Sequence, residues 1–257
     1  MDSQTKVMVV MPAFRAEATL RETFAAIPAG SYDHILVVDD CSDDRTVEVA
    51  AELGIPTVRH DANRGYGANQ KTCYEAALAT DADIVVMLHP DNQYDPRLVP
   101  VMAEIIRLGI CDMVMGSRIR SRRQVLAGGM PRWKYFTNRA TTLAENFLLG
   151  TALGDLHSGY RAYRRSVLET VPFQDNSDDF VFDQELIMQA RHFGFEIGEV
   201  PVPVRYFDDA SSIDLRRSLV YGWGAVRCMG ALSAHRAGIR KDSRFSRAAA
   251  SGAPRPE

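Results

Sequence analysis

The stretch IVVMLHPDNQ, residues 84–93, decides the fold class. It opens with an apolar run rich in β-branched residues, typical of a strand buried on both faces, and polar residues follow at once. Two earlier stretches have the same form, KVMVVM at residues 6–11 and HILVV at residues 34–38. Helical patterns separate these runs. The alternation predicts an α/β fold with a mostly parallel sheet that is covered by helices on both faces.

Polar side chains cluster where these strands are expected to end. Asp39 and Asp40 close the second strand, and His89, Asp91 and Gln93 follow the run that begins at residue 84. Ligands of parallel sheets bind outside the carboxyl ends of the strands, so these side chains are expected to line one crevice. The two adjacent carboxylates repel each other. They therefore either cap the next helix or accept hydrogen bonds from the base or ribose of a nucleoside.

The histidine and the aspartate of the HPD segment suggest a metal site. Residues two apart at a strand end point to the same side, so His89 and Asp91 are expected to face one divalent cation, with Gln93 nearby. Such a cation would bridge diphosphate oxygens. An imidazole ligand shifts the preference from Mg²⁺ toward Mn²⁺. The alternative is that the segment forms only a turn.

Composition indicates an ordinary globular protein. Of the 257 residues 46% are hydrophobic and 25% are charged. The four cysteines are widely spaced, no apolar run is long enough to span a bilayer, and the amino terminus lacks a signal-peptide pattern. We therefore expect a cytoplasmic protein, at most peripheral at the inner face of a membrane. No nucleic-acid partner is expected, and a homo-oligomer is left open.

Basic residues concentrate in the second half of the chain. Residues 118–139 contain seven Arg or Lys and no acid. Such runs are usually solvated surface, but they also suit phosphate-rich ligands and anionic membranes. Residues 132–149 read as an amphipathic helix that either packs on the core, which we favour, or lies on a membrane surface.

Six motifs, in order, cover roughly residues 6–205. They are VVMPAFRAEATL (9–20), VVDDCSDDRT (37–46), NRGYGANQ (63–70), LHPDNQYDP (88–96), GSR (116–118) and SGYRAYRR (158–165). Together they resemble family-2 glycosyltransferases of the GT-A fold, in the branch of dolichol-phosphate mannose synthases and polyprenol-phosphate sugar transferases. We expect a single Rossmann-like GT-A domain over residues 1–240, with a nucleotide-binding half (1–117) and an acceptor half (118–240). Composition predicts a disordered tail over residues 241–257.

The resemblance implies roles for individual residues. The expected nucleotide-sugar contacts are Pro12, Ala13, Phe14, Glu17, Asp39, Asp40, Asn63, Gly67 and Asp91. Asp91 and Gln93 match the metal segment Asp-x-Asp-x-Gln, in which His89 replaces the first acid. Arg118 is expected near the acceptor, together with Arg132, Ser158 and Arg205. The catalytic candidates are Arg118, Asp183 and Glu185.

Asp183 and Glu185 fall at the start of a predicted helix. Two residues apart, they do not share a helix face, so only one is expected to point into the site. Asp183 is the first choice, and the alternative is that it only caps the helix.

The implied function is inverting, metal-dependent transfer of a sugar from a nucleotide sugar, with UDP favoured over GDP, to a polyprenyl phosphate or to a hydroxyl group. Two alternatives remain. One is a catalytically degenerate nucleotide-sugar binding module. The other is a sugar-1-phosphate nucleotidyltransferase, which the glycine-free loop at residues 12–17 disfavours.

Overall fold

The computed structural model describes residues 5–118, 132–203 and 215–246, with side chains described in 5–118, 136–203 and 222–246. Within these ranges the strands form one seven-stranded sheet of order β3-β2-β1-β4-β6-β5-β7. The strands are β1 (Val7–Ala13), β2 (His34–Asp39), β3 (Thr57–Arg59), β4 (Ile84–Met87), β5 (Met113–Ser117), β6 (Arg161–Arg164) and β7 (Ile197–Pro201). All pairs are parallel except those of β6, which runs antiparallel to both β4 and β5. The predicted α/β class with a mostly parallel sheet is confirmed.

Helices cover both faces of the sheet. They are α1 (Leu20–Ala26), α2 (Thr46–Glu52), α3 (Tyr66–Leu78), α4 (Val99–Arg107), α5 (Arg132–Leu149), α6 (Arg165–Thr170), α7 (Phe182–His192) and α8 (Leu215–Arg236). Because side chains alternate along a strand, β1 contributes to two cores. Met8 and Val10 pack with α3 and α7, whereas Val9 and Met11 pack with α1 and α4.

The strand order places a crevice between β1 and β4. The chain passes from β1 outward to β2 and β3, and then returns to the other side of β1 as β4. Ligands of open α/β sheets bind at such a reversal, outside the carboxyl ends of the strands. Because β6 is antiparallel, the residues that precede it, 158–160, lie at this same edge.

Helix α5 has a buried face and an exposed apolar face. Leu149 is buried and Leu148 packs partly against the core, as expected for a core helix. Phe136, Leu143 and Phe147 are exposed, the last by 93%. None of the helices in the described ranges is long and apolar enough to cross a membrane.

The carboxyl-terminal region departs from expectation. The predicted disordered tail is wrong for residues 241–246, because Ser243–Phe245 forms a 3-10 turn with Phe245 buried. Residues 247–257 lie outside the described residues. Strand β7 pairs in parallel with β5.

Candidate functional site

The loop after β1 is hydrogen-bonded to the segment after β2. Pro12 and Ala13 are buried at the end of the strand, and the carbonyl of Ala13 accepts a hydrogen bond from the amide of Asp40 at 2.9 Å. Glu17 accepts a hydrogen bond from the amide of Arg45 at 2.8 Å. Phe14 is left exposed. The predicted first nucleotide-contacting loop therefore lies at the crevice with a fixed backbone and an aromatic side chain open to a ligand.

The two acids that end β2 are buried and have different partners. Asp40 is fully engaged: its oxygens accept hydrogen bonds from the amides of Arg64 (2.8 Å) and Gly65 (2.9 Å), and Oδ1 lies 2.7 Å from Nδ1 of His60. Asp39 accepts from the amide of Ser42 through Oδ2, while its buried Oδ1 has no hydrogen-bond partner. Asp40 therefore holds the turn before α3, and Asp39 is the acid with an oxygen left for a ligand.

Asn63 and Gly67 belong to that same turn and helix start. Asn63 is exposed. Gly67 donates its amide to the carbonyl of Asp178 at 2.8 Å, and a Cβ at this position would lie 2.3 Å from the carbonyl oxygen of Ser177. Only glycine permits this approach. It joins the start of α3 to the segment that leads into α7.

The segment after β4 forms a turn at the crevice. Asn92 has a positive φ of 57°, and Asp91 Oδ1 accepts a hydrogen bond from the amide of Gln93 at 3.0 Å. Burial raises the pKa of Asp91. Burial also lowers the pKa of His89, and the neighbouring Asp91 carboxylate opposes that shift. His89 and Asp91 are thus close enough to interact, as expected, although both lie beyond the last residue of the strand.

A chain of polar contacts connects His89 to the start of α7. Nε2 of His89 lies 3.3 Å from the hydroxyl of Tyr66, and that hydroxyl donates to Asp183 at 2.8 Å. Asp183 also accepts from Nε2 of Gln70 at 3.0 Å and lies 3.2 Å from a guanidinium nitrogen of Arg161, which is fully buried. The structure therefore brings Asp183 to the metal segment. Asp183 does not cap its helix.

Glu185 points elsewhere. It accepts a hydrogen bond from the amide of Ser177 at 2.6 Å and pairs with Arg244 of the carboxyl-terminal turn. Of the two acids, Asp183 contacts Tyr66 beside His89, whereas Glu185 contacts the carboxyl-terminal turn. Glu185 instead holds the carboxyl-terminal turn against α7.

Arg118 and Ser158, which are predicted to lie near the acceptor, are both held by contacts within the chain. Arg118 donates to both oxygens of the buried Asp155, at 2.7 and 3.0 Å, and to the carbonyl of His157. Burial opposes ionisation of Asp155, but the Arg118 guanidinium outweighs it and lowers the pKa to about 2. Ser158 is buried, and its hydroxyl accepts from the amide of Tyr160. Arg118 thus has an internal counter-ion. Arg205 lies outside the described residues, and so does the side chain of Arg132.

A buried carboxyl lies behind this pair. Oε2 of Glu145 is 3.6 Å from Nε2 of His157, and neither oxygen of Glu145 has a hydrogen-bond partner. Burial raises the pKa of Glu145 to about 8, and burial lowers the pKa of His157 to about 4. The two groups are therefore held largely uncharged near neutral pH.

Comparison with known proteins assigns the family. A family model described as glycosyl transferase family 2 matches residues 8–171, more than half of the chain. The chain belongs to glycosyl transferase family 2. It is 31% identical over 198 residues to the dolichyl-phosphate hexose transferase of Haloferax volcanii, covering 77% of this chain and 82% of that protein. It is 28% identical over 208 residues to the polyprenol monophosphomannose synthase of Mycolicibacterium smegmatis, covering 77% and 76%.

Solved structures share the fold. The glucosyl-3-phosphoglycerate synthase of Mycobacterium tuberculosis with Mn²⁺, UDP-glucose and phosphoglyceric acid matches with a TM-score of 0.63 at 20% identity, covering 95% of this chain and 86% of that one. The same protein with Mg²⁺ and UDP gives 0.65 at 20% identity, covering 93% and 81%. The predicted GT-A fold is confirmed, and this family-2 protein is a glycosyltransferase.

The metal segment of this glycosyltransferase fits an open cation site. Within the described residues no three His, Cys, Asp or Glu side chains are grouped so that they could hold a metal ion. Asp91 uses one oxygen on the amide of Gln93, and its desolvated carboxyl would gain from a nearby positive charge. Hard cations bound to nucleotides commonly take one or two protein carboxylates and complete their shell with phosphate oxygens and water. The chain thus has the side chains for a site that its substrate completes.

Three residues of the glycosyltransferase site were not predicted from the sequence. Tyr66 and Gln70 stand in the motif NRGYGANQ, and Arg161 stands in SGYRAYRR. All three contact Asp183. A buried arginine needs a carboxylate partner, but the second motif contains three arginines, and the sequence does not distinguish the buried one from the others.

Proposed function

We propose that this glycosyltransferase is an inverting, divalent-cation-dependent enzyme that transfers a hexose from a nucleotide sugar, UDP-linked rather than GDP-linked, to a polyprenyl phosphate. The single observation that carries the acceptor class is the state of Asp183. Both of its oxygens already accept hydrogen bonds from the chain's own donors. A hydroxyl acceptor needs a general base, whereas a phosphate is an anion at neutral pH and needs none. The names of the two relatives support the same acceptor class.

Each side of the crevice then has a distinct task. Asp39, with its buried unpaired oxygen, accepts a hydrogen bond from the base or ribose, and Phe14 offers a surface for the nucleoside. Asp91, with His89 or Gln93, would hold the cation, which supplies positive charge to the departing nucleoside diphosphate. Arg118 lies at the acceptor side, where its guanidinium is oriented by Asp155. The acceptor phosphate attacks the anomeric carbon directly, so one displacement inverts its configuration.

The first test separates an enzyme from a binding module. UDP, GDP and their sugars are screened by thermal shift with and without Mn²⁺, and transfer to a polyprenyl phosphate is measured in parallel. A ligand that binds only the folded state raises the melting temperature. We expect Asp91→Asn to reduce transfer by orders of magnitude. The matched control is Asp81→Asn. Asp81 is an exposed acid just before the amino-terminal end of β4, far from the crevice, so its replacement should leave transfer unchanged.

Three outcomes would contradict the proposal. Full transfer by Asp91→Asn, or by the wild type in excess chelator, would exclude the cation role. Nucleotide binding with neither transfer nor donor hydrolysis would favour a degenerate binding module. Incorporation of the sugar phosphate into a nucleotide would favour a nucleotidyltransferase.

The second test addresses the acceptor. Asp183→Asn is assayed against pH with polyprenyl phosphate as the acceptor. A loss that does not vary with pH supports a phosphate acceptor, and it need not be small, because Asp183→Asn also leaves the buried Arg161 without its counter-ion. Removal of an acidic limb, with a loss of roughly 10²–10⁴-fold, would identify Asp183 as a general base and favour a hydroxyl acceptor.

A lipid acceptor also requires access to a membrane surface. Phe147 on α5 and Trp223 on α8 are 93% and 64% exposed, and Phe136 and Leu143 lie on the same face of α5 as Phe147. Aromatic side chains of this kind insert at a lipid interface. We expect Phe147→Ser to reduce co-sedimentation with vesicles that contain anionic lipid. The control Leu108→Ser removes an apolar residue that is 65% exposed just after α4, and it should bind like the wild type.

A further inference from the structure

Tyr66 lies between the metal segment and helix α7. Its hydroxyl oxygen is 2.8 Å from Oδ2 of Asp183 and 3.3 Å from Nε2 of His89. Its ring stacks on His89, with centroids 5.4 Å apart and planes 5° apart, and on Phe180 with centroids 4.6 Å apart. The ring contacts therefore fix where the hydroxyl can be.

The direction of the two hydrogen bonds follows from counting protons. A tyrosine hydroxyl has one hydrogen to donate, and an ionised carboxylate only accepts. Asp183 lies against the buried guanidinium of Arg161 and accepts the hydrogen of Tyr66. The contact with His89 must then run from Nε2–H to the tyrosine oxygen. A hydrogen on Nε2 is required whether the imidazole is neutral or charged.

The second ring nitrogen of His89, Nδ1, has different surroundings from Nε2. A Cβ at Gly159 would lie 3.0 Å from Nε2 of His89 and 3.1 Å from the Tyr66 hydroxyl, so a glycine at this position leaves room for the contact between the two side chains. The described residues supply no hydrogen bond to Nδ1. Nδ1 is thus the nitrogen left for a ligand in the crevice.

We propose that Tyr66 is a positioning residue: it fixes His89 with its hydrogen on Nε2, so that Nδ1 is the only imidazole nitrogen that can bind a ligand. The proposal rests on the proposed function only for the ligand's identity, a divalent cation bound to the donor diphosphate. Groups that hydrogen-bond a metal-binding histidine set its tautomer, and their loss typically weakens metal binding by about 10–100-fold. Asp183 acts in this arrangement through Tyr66, and it links the acceptor side to the cation segment.

The decisive measurement needs no substrate. Long-range ¹H–¹⁵N spectra of the ligand-free protein report which imidazole nitrogen carries hydrogen, and His89→Gln assigns the signal among the six histidines. We expect the wild type to show a protonated Nε2 and a bare Nδ1. Tyr66→Phe keeps the stacked ring but lacks the hydroxyl, and it should show a mixture of tautomers. Tyr74→Phe removes a buried hydroxyl on the same helix, which bonds to Gln70 and Tyr163, and it should match the wild type.

A second measurement tests the consequence for the cation. Mn²⁺ binding is titrated by electron paramagnetic resonance in the presence of UDP, and we expect Tyr66→Phe to bind about 10–100-fold more weakly than Tyr74→Phe. Hydrogen on Nδ1 in the wild type, or identical spectra for wild type and Tyr66→Phe, would overturn the proposal, as would unchanged Mn²⁺ affinity in Tyr66→Phe. A locked Nε2–H tautomer in a wild type that binds no Mn²⁺ would support the role of Tyr66 and contradict the cation-dependent function.

Discussion

The acids in the two halves of the chain are held in different ways. At the ends of β2 and β4 the partners are mainly backbone amides: Asp39 accepts from Ser42, Asp40 from Arg64 and Gly65, and Asp91 from Gln93, while Arg59 lies 3.4 Å from Asp39. In the second half of the chain three acids are each paired with a guanidinium group. These ion pairs are Asp155 with Arg118 and Asp183 with Arg161 near the crevice, and Glu185 with Arg244 away from it.

The kind of partner determines what happens when an acid is replaced. An acid that accepts backbone amides shapes a turn, so its loss should disturb the loop that it holds. An acid that is paired with a buried arginine shares one charge balance with it, so the loss of either partner leaves an uncompensated charge in the interior. The following predictions test this contrast.

The largest effect is expected at Arg161. Arg161→Met removes a fully buried guanidinium and leaves Asp183 without its cation, so the free energy of unfolding should fall by about 3–5 kcal/mol. Urea denaturation measures this change. The double variant Arg161→Met, Asp183→Asn should recover part of the loss, because it leaves no unpaired charge. Strictly additive effects would show that the pair is not energetically coupled.

A smaller effect with a definite pH dependence is expected at Glu145. Its pKa is raised from 4.5 to about 8 in the folded protein, chiefly by burial. Between these two values the unfolded chain releases the proton and the folded protein retains it, so the free energy of unfolding falls as the pH rises through this range. Glu145→Gln removes that dependence. The variant should therefore gain stability relative to the wild type between pH 5 and pH 8, as measured by urea denaturation.

The control for Glu145 is the same substitution in a His157→Gln background. The two side chains lie 3.6 Å apart, so the pH dependence of His157 does not cancel when only Glu145 is replaced. A constant difference in stability from pH 5 to pH 8 would mean that Glu145 is ionised throughout.

The smallest effect on stability is expected at the acids that end β2. Asp40→Asn replaces one accepting oxygen by a donor that faces the amides of Arg64 and Gly65, and it should cost about 1–3 kcal/mol. Asp39→Asn should cost less, because Oδ1 has no partner to lose, but it should weaken UDP binding more. Thermal denaturation and UDP titration of both variants measure the two effects. The reverse ranking for UDP would assign nucleotide contact to Asp40.

The same contrast explains what the sequence could predict. Contacts within a few residues of a strand end, such as Asp91 with Gln93, follow from local turn chemistry, so the crevice and its acids could be predicted. The pair of Arg118 with Asp155 spans 37 residues, and Glu185 is separated from Arg244 by 59. No periodicity relates such positions. The resemblance made Glu185 a catalytic candidate after Asp183, and its pairing with Arg244 in the carboxyl-terminal turn could not be predicted from the sequence.

Strand β6 is a part of the fold that could not be predicted from local sequence patterns. Its four residues, RAYR, contain two arginines and do not have the apolar pattern of a central strand. It is nevertheless the only strand in the described sheet that pairs with both β4 and β5. The buried Arg161 is accommodated there because Asp183 and backbone carbonyls surround its guanidinium.

The position of β6 also has a consequence for how the chain folds. Ile84 in β4 pairs with Arg164 in β6, so about eighty further residues must be synthesised before β4 can pair with β6. During synthesis β1 to β4 can assemble early, whereas β5 cannot join that sheet until β6 has been made. Pairing between such distant segments slows folding. We therefore expect a chain cut just before residue 161 to leave β5 detached, and a charged residue in place of Ala162 to stall folding at a four-stranded intermediate.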